Sequence, residues 1–149
     1  MVDSVRIVVK RKPGTEDLGL PAYQTPGSSG LDLLAAVEEE TTLAPGDIRL
    51  VPTGLFVQVP PGYEAQVRPR SGLVLHRGLT VANTPGTIDS DYRGEVGVIL
   101  INLGREPVTV TRGMRVAQLV VQPVARAQLV EGHPSPTERA DGGFGHTGA

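Results

Sequence analysis

Residues Gly86 to Leu103 read GTIDSDYRGEVGVILINL, and the join in the middle of that stretch decides the architecture. From Glu95 to Leu103 the chain is almost continuously apolar and β-branched, which predicts a strand buried on both faces. Just before it, Asp89 and Asp91 stand two residues apart, with Tyr92 and Arg93 adjacent and a glycine at either end. In an extended chain residues two apart share a face at about 3.3 Å rise per residue, so the two carboxylates are expected within roughly 7 Å of each other. Like charges that close are destabilising unless a cation answers them. One reading is a hairpin in which Asp91 and Arg93 make a solvated pair of small energetic weight. The other is an acid set at the mouth of a core strand to act on a cationic or phosphorylated ligand. The stretch alone leaves both open.

Outward from it, turn signals KPG, TPG, APG, PPG and a second TPG separate short β-rich runs: VRIVV, LDLLA, IRLV, LFVQV, YEAQV, VTVT and RVAQLVV. Short strands at that spacing, with little helical periodicity, predict an all-β sandwich or barrel. One helical turn is expected at SGLVLHRG, with Ser71 capping its start. At 149 residues the chain suits a single domain with a core of its own. After VVQPV the composition turns to glycine, proline and polar residues, so residues 1–131 are read as the folded domain and 132–149 as a mobile tail.

Composition narrows the function classes. There are no cysteines, so neither a disulfide framework nor a thiolate metal site is possible. The start, MVDSVRIVVKRKPG, looks like neither a signal peptide nor a membrane span, and a soluble cytoplasmic protein is expected. A formal net charge of −2 argues against nucleic acid as a partner. A small anion remains possible, because twelve of the fourteen cationic residues are arginines, whose planar fork grips phosphate.

Several familiar sites can be set aside. GFGHTG near the end formally matches a dinucleotide fingerprint, but no helix follows to receive a pyrophosphate. His76, His133 and His146 lack zinc-site spacing, and there is no nucleophile elbow. What remains are polar residues that break the apolar pattern at turns. Asp32 sits inside SSGLDLLAA, Arg68, Arg70 and Ser71 gather where the helical turn begins, and Gln118 interrupts RGMRVAQLVV. Free N–H groups at a helix start favour anions. Each of these residues alone reads as structural, since an Arg pair at a turn is usually solvated and a buried Gln usually satisfies backbone.

Taken together, SGLDLLA, RPRSGL, NTPGTIDSDYRG, RGMRVAQL and RADGGFGHTG occur in the order and spacing of the five motifs of the homotrimeric dUTPases, which the chain resembles over nearly its full length. The resemblance implies a jelly-roll-like β-sandwich with one short helix, assembled as a homotrimer with intersubunit active sites. It implies hydrolysis of dUTP to dUMP and pyrophosphate with Mg²⁺ as cofactor, which keeps uracil out of DNA and supplies dUMP for thymidylate synthesis. By the same resemblance Asp89 holds the water that attacks the α-phosphorus and Tyr92 lies against the deoxyribose; Asp91 does not share that role and is read as structural, paired with an arginine near the subunit interface. Uracil is read by main-chain groups of a hairpin from Asn83 to Ile88, including Gly86. Arg70, Ser71, Gly72 and Gln118 contact the phosphates, and Asp32 reaches Mg²⁺ through water. Arg68 braces Asp91 or touches phosphate. In the tail, Arg139 reaches the γ-phosphate and Phe144, next to Gly145, stacks on uracil as the segment closes; His146 is expected near phosphate.

Two rivals share this fold. A dCTP deaminase carries IDPGW where this chain has IDSDY, and a catalytic Glu at the position of Ile99. A non-catalytic nucleotide-binding regulator is expected to lose the base, the phosphate contacts or the tail, all of which are present here. A purely structural β-sandwich leaves the clustered polar residues without explanation.

Overall fold

The computed structural model describes residues 4–148. Two four-stranded antiparallel sheets face each other. The first orders its strands β1 (Val8–Arg11), β4 (Ile48–Gln58), β8 (Glu95–Asn102) and β6 (Leu79–Val81). The second orders β2 (Leu31–Leu34), β10 (Arg115–Pro123), β5 (Tyr63–Arg68) and β7 (Gly86–Ile88). A two-stranded ribbon pairs β3 (Thr41–Leu43) with β9 (Val108–Val110). The core between the sheets draws on both: Val51, Val57, Val96, Val98 and Leu100 from the first, Leu33, Ala65, Val67, Ala117 and Leu119 from the second. Among the described residues the expected β-sandwich with a single α-helix is therefore what forms.

Details depart from the sequence reading. The strand from Glu95 is not buried on both faces. Val96, Val98, Leu100 and Asn102 point into the core, whereas Glu95, Gly97, Ile99 and Ile101 are half-buried on the outer face. IRLV and LFVQV are one strand, β4, whose pairing with β8 shifts between Pro52 and Phe56. Gly54 takes φ +69 within that irregularity, a conformation that disfavours any other residue. β1 begins at Val8, three residues later than VRIVV suggests.

The helix α1 spans Ser71–Arg77, but its N-cap is Arg70 in extended conformation, with no side-chain capping bond. Ser71 is thus the first helical residue and not the cap. Gly78 ends the helix in the left-handed conformation, its N–H bonded to Val74 O at 2.9 Å. Nor is the segment from Asn83 to Ile88 a hairpin within one sheet. β6 pairs with β8 and β7 with β5, so the loop between them carries the chain from one sheet to the other, with a cis peptide at Thr84–Pro85.

Candidate active site

Register across the second sheet builds the first cluster. Asp32 on β2 stands opposite Gln118 on β10, and Gln118 stands opposite Arg68 on β5, so three polar side chains occupy one row of an otherwise apolar sheet. Asp32 is drawn between two guanidiniums, with Arg70 Nε at 3.2 Å and Arg115 Nε at 3.6 Å. Its Oδ2 is buried and accepts no hydrogen bond. Gln118 Nε2 donates to Pro69 O at 3.0 Å, which fixes the amide beside the start of α1. Gly30 makes this possible: a methyl group there would overlap Gln118 Oε1 and lie 2.9 Å from its Cδ.

At the helix start, Leu73 and Val74 donate their N–H groups to Arg70 O at 3.1 and 3.2 Å, while Ser71 and Gly72 precede the first intrahelical bond. A cleft of about 360 Å³ is lined by Gln24, Asp32, Arg70, Ser71, Gly72, Leu73 and Gln118. Asp32 is thus held between two guanidiniums, with Arg70 and the helix-start N–H groups of Ser71 and Gly72 on the cleft, an arrangement that can accept an anion. All five residues expected here from separate segments of sequence are brought together. Arg115, Gln24 and Gly30 were not singled out. Arg115 lies in RGMRVAQL and Gly30 in SGLDLLA, yet only the register of β2 against β10 shows why they matter; Gln24 carries no sequence signal.

The second cluster follows β7. Gly86 and Ile88 are buried, Asn83 is exposed at the loop tip, and Thr84 Oγ1 donates to Val81 O. Asp89 then opens a turn, closed by Tyr92 N donating to Asp89 O at 3.1 Å. The two aspartates are therefore joined by a turn and not by extended chain, and both line a cleft of about 370 Å³ with Gly62, Tyr63, Glu64, Ser90, Val124 and Arg126. Arg93 does not pair with Asp91; its Nη1 donates to Ser90 O at 2.7 Å and Tyr92 O at 2.9 Å, bracing the turn. Arg68 does not brace Asp91 either, since its Nε and Nη2 donate to Gln66 Oε1 at 3.0 and 2.8 Å. Among the described residues neither Asp89 nor Asp91 is in an ion pair. The Tyr92 hydroxyl donates to Glu95 O at 2.9 Å and leaves the ring partly exposed.

The two clusters share no lining residue. Glu64, beside Asp89, and Arg68, in the row of Gln118, are four residues apart on β5, roughly 13 Å of strand. Asp89 follows β7, two strands from β10 in the sheet order, which adds roughly 10 Å sideways. Within one chain, then, the carboxylate and the anion cluster face different openings. The tail joins neither. Arg139 Nε donates to Gly142 O at 2.8 Å, His146 folds back against Gly142, and Phe144 is wholly exposed beside Gly145.

Comparison with known proteins gives one answer. The dUTPase family model matches residues 16–148. A deoxyuridine 5'-triphosphate nucleotidohydrolase of Beijerinckia indica is 60% identical over 146 residues, covering 96% of this chain and 91% of that protein. One of Caldanaerobacter subterraneus is 53% identical over 146 residues, covering 97% and 99%. Among solved structures, a Staphylococcus bacteriophage 80alpha dUTPase with dUpNHpp superposes with a TM-score of 0.85 at 24% identity over 97% of this chain and 99% of that one, a likeness of fold. A point mutant of the dUTPase from phage phi11 of S. aureus, in which a structural Mg(II) ion is coordinated, matches with a TM-score of 0.76 at 21% identity over 87% and 97%. This chain belongs to the dUTPase family.

Proposed function

We propose that the protein is a dUTP diphosphatase that cleaves dUTP to dUMP and pyrophosphate, working as a homotrimer in the cytoplasm. The observation that carries the reading is the assembly of Asp32, Arg70, Ser71, Gly72 and Gln118 into one cleft, with Asp89, a carboxylate in no ion pair among the described residues, presented from a hydrogen-bonded turn elsewhere on the same sheet. A site that needs both is completed when the Asp89 turn of one subunit meets the anion cleft of its neighbour. The outer face of the first sheet supports association. Ile48 and Leu50 are 53% and 69% exposed there, opposite Ile101 and Ile99, an apolar surface suited to burial between subunits.

In this reading Arg70, the Ser71 and Gly72 N–H groups and Gln118 hold the triphosphate in line. Asp89 orients a water against the α-phosphorus and accepts its proton, an assistance of roughly 10²- to 10⁴-fold. The attacking oxygen bonds to that phosphorus as its bond to the bridging oxygen breaks, and pyrophosphate departs. Main-chain N–H and C=O groups around Asn83, Gly86 and Ile88 match uracil O4 and N3–H, and cytosine reverses both polarities. The Tyr92 ring occupies the space a 2′-hydroxyl would need. The tail, residues 132–149, brings Arg139 to the γ-phosphate and Phe144, beside Gly145, to the base as it closes and excludes water.

The residues present fit Mg²⁺ as an outer-sphere partner. Among the described residues no group of three or more histidines and carboxylates forms a metal cage, and Asp32 already faces two guanidiniums. Its Oδ2, which accepts no hydrogen bond although Arg115 Nε lies 3.6 Å away, suits a metal-bound water. When bound, Mg²⁺ neutralises phosphate charge and fixes the chain of phosphates in one geometry. The deaminase alternative is disfavoured by Ile99, an apolar side chain that cannot carry a proton to an amino leaving group.

The deciding experiment is pyrophosphate release with Mg²⁺ from dUTP, dCTP, dTTP and UTP, with Asp89→Asn alongside. Release from dUTP alone, reduced at least about 100-fold in a variant that still binds dUTP, is expected. Near wild-type turnover by Asp89→Asn would remove it as the base, and ammonia from dCTP would install the deaminase.

A further inference from the structure

The Tyr92 ring occupies space that only a glycine at position 94 leaves. Gly94 itself has no need to be glycine on backbone grounds, because its φ lies outside the left-handed region. A methyl group there would nevertheless overlap Tyr92 Oη and lie 2.5 Å from Cζ and 2.9 Å from Cε2. The ring is folded over the chain two residues ahead and tied down by its hydroxyl on Glu95 O at 2.9 Å. We propose that Gly94 is a positioning residue for sugar selection: by carrying no side chain it seats the Tyr92 ring, and so sets where that ring meets C2′ of the substrate. The proposal rests on the reading of Tyr92 given above.

The geometry separates this role from a structural one. Tyr92 is 43% exposed, and the atoms a methyl would strike are at the far end of its side chain, so the ring can swing into solvent without moving the core. The turn beneath stays pinned by Tyr92 N on Asp89 O and by Arg93 Nη1 on Ser90 O and Tyr92 O. Asp89 is therefore left in place while the wall that excludes a 2′-hydroxyl is displaced. Steric discrimination of this kind is worth on the order of 10- to 200-fold, so its loss is measurable.

The test measures turnover of dUTP and UTP, melting temperature, and the affinities for dUMP and UMP by calorimetry, in wild type, Gly94→Ala, Tyr92→Ala and the double variant. Gly94→Ala is expected to melt near wild type, while its preference for deoxyribose falls about tenfold in both turnover and affinity. The double variant should match Tyr92→Ala, because with the ring gone the methyl has nothing to displace. Unchanged preference in Gly94→Ala, a further loss on the Tyr92→Ala background, or failure of both position-94 variants to fold would overturn the proposal. Unchanged preference in Tyr92→Ala would remove the sugar role from Tyr92 and with it from Gly94. Absence of dUTP turnover in wild type would strike the proposed activity instead, and the mononucleotide affinities would still decide Gly94.

Discussion

Asn102 is wholly buried at the end of β8, where an apolar side chain would satisfy the hydrophobic pattern. Its Nδ2 donates to Leu43 O at 3.0 Å and Glu106 O at 2.8 Å, and its Oδ1 accepts from Gly104 N at 2.9 Å. One amide thus ties the β3–β9 ribbon to the first sheet. Asn102→Ala leaves three backbone groups without that partner, at about 1 to 3 kcal/mol for each that stays dry. We expect Tm to fall by roughly 10 °C, read by calorimetry. A shift of under roughly 2 °C would mean that water replaces the amide. An Asn inside an apolar run was visible in the sequence, but its partners come from residues up to 59 positions away, and nothing local announces them.

Among the elements, the clearest long-range tie is Arg112, in the turn between β9 and β10. Its Nε and Nη2 fork Asp17 at 3.0 and 2.7 Å, and the guanidinium also donates to Gly14 O and Val37 O. This fastens the single-turn 3₁₀ helix Glu16–Leu18 to the sandwich. The hydrogen bond from Arg112 holds the Asp17 carboxyl below its ordinary range, and Asp17 in turn raises Arg112. A carboxyl whose folded pKa is depressed contributes stability above its unfolded pKa, about 3.9, and loses it as pH falls through the folded value. Asp17→Asn should therefore melt below wild type at neutral pH, with the difference closing as acid is added below about pH 4. A difference independent of pH would assign the effect to shape alone. Elements were legible where the local pattern was strong and not in proportion to their length: the three-residue Val108–Val110 shows as VTVT, while the eleven-residue Ile48–Gln58 reads as two runs. Tyr63–Arg68 and Arg115–Pro123 are long enough to show alternation or an apolar run, whereas Thr41–Leu43, Leu79–Val81 and Gly86–Ile88 have three residues each, too few to show a period.

At the scale of the whole molecule, the separation of the Asp89 cleft from the Arg70 cleft makes a prediction about assembly. If each site draws on two subunits, Asp89→Asn and Arg70→Ala homotrimers are each inactive, yet mixed trimers refolded together regain activity, since a native turn can meet a native cleft. Recovery should follow the proportion of mixed trimers, and a mixture as inactive as its parents would place each site within one chain. The sequence by itself determined the sandwich, because turn residues and apolar runs are local, and it determined which polar and charged residues interrupt those runs. Those residues could be gathered from five segments only by their likeness to a family, since spacing along a chain contains no distance across a sheet. Tertiary structure alone decided that Asp32 sits between Arg70 and Arg115, that Gly30 and Gly94 are small for the side chains of Gln118 and Tyr92, and that Asp91 has no partner in its neighbour Arg93. For the row of Asp32 and Gln118 the physical reason is register, which pairs residues dozens of positions apart and which a shift of one residue would turn to the opposite face; for Asp91, Tyr92, Arg93 and Gly94 it is the turn that replaces extended chain there.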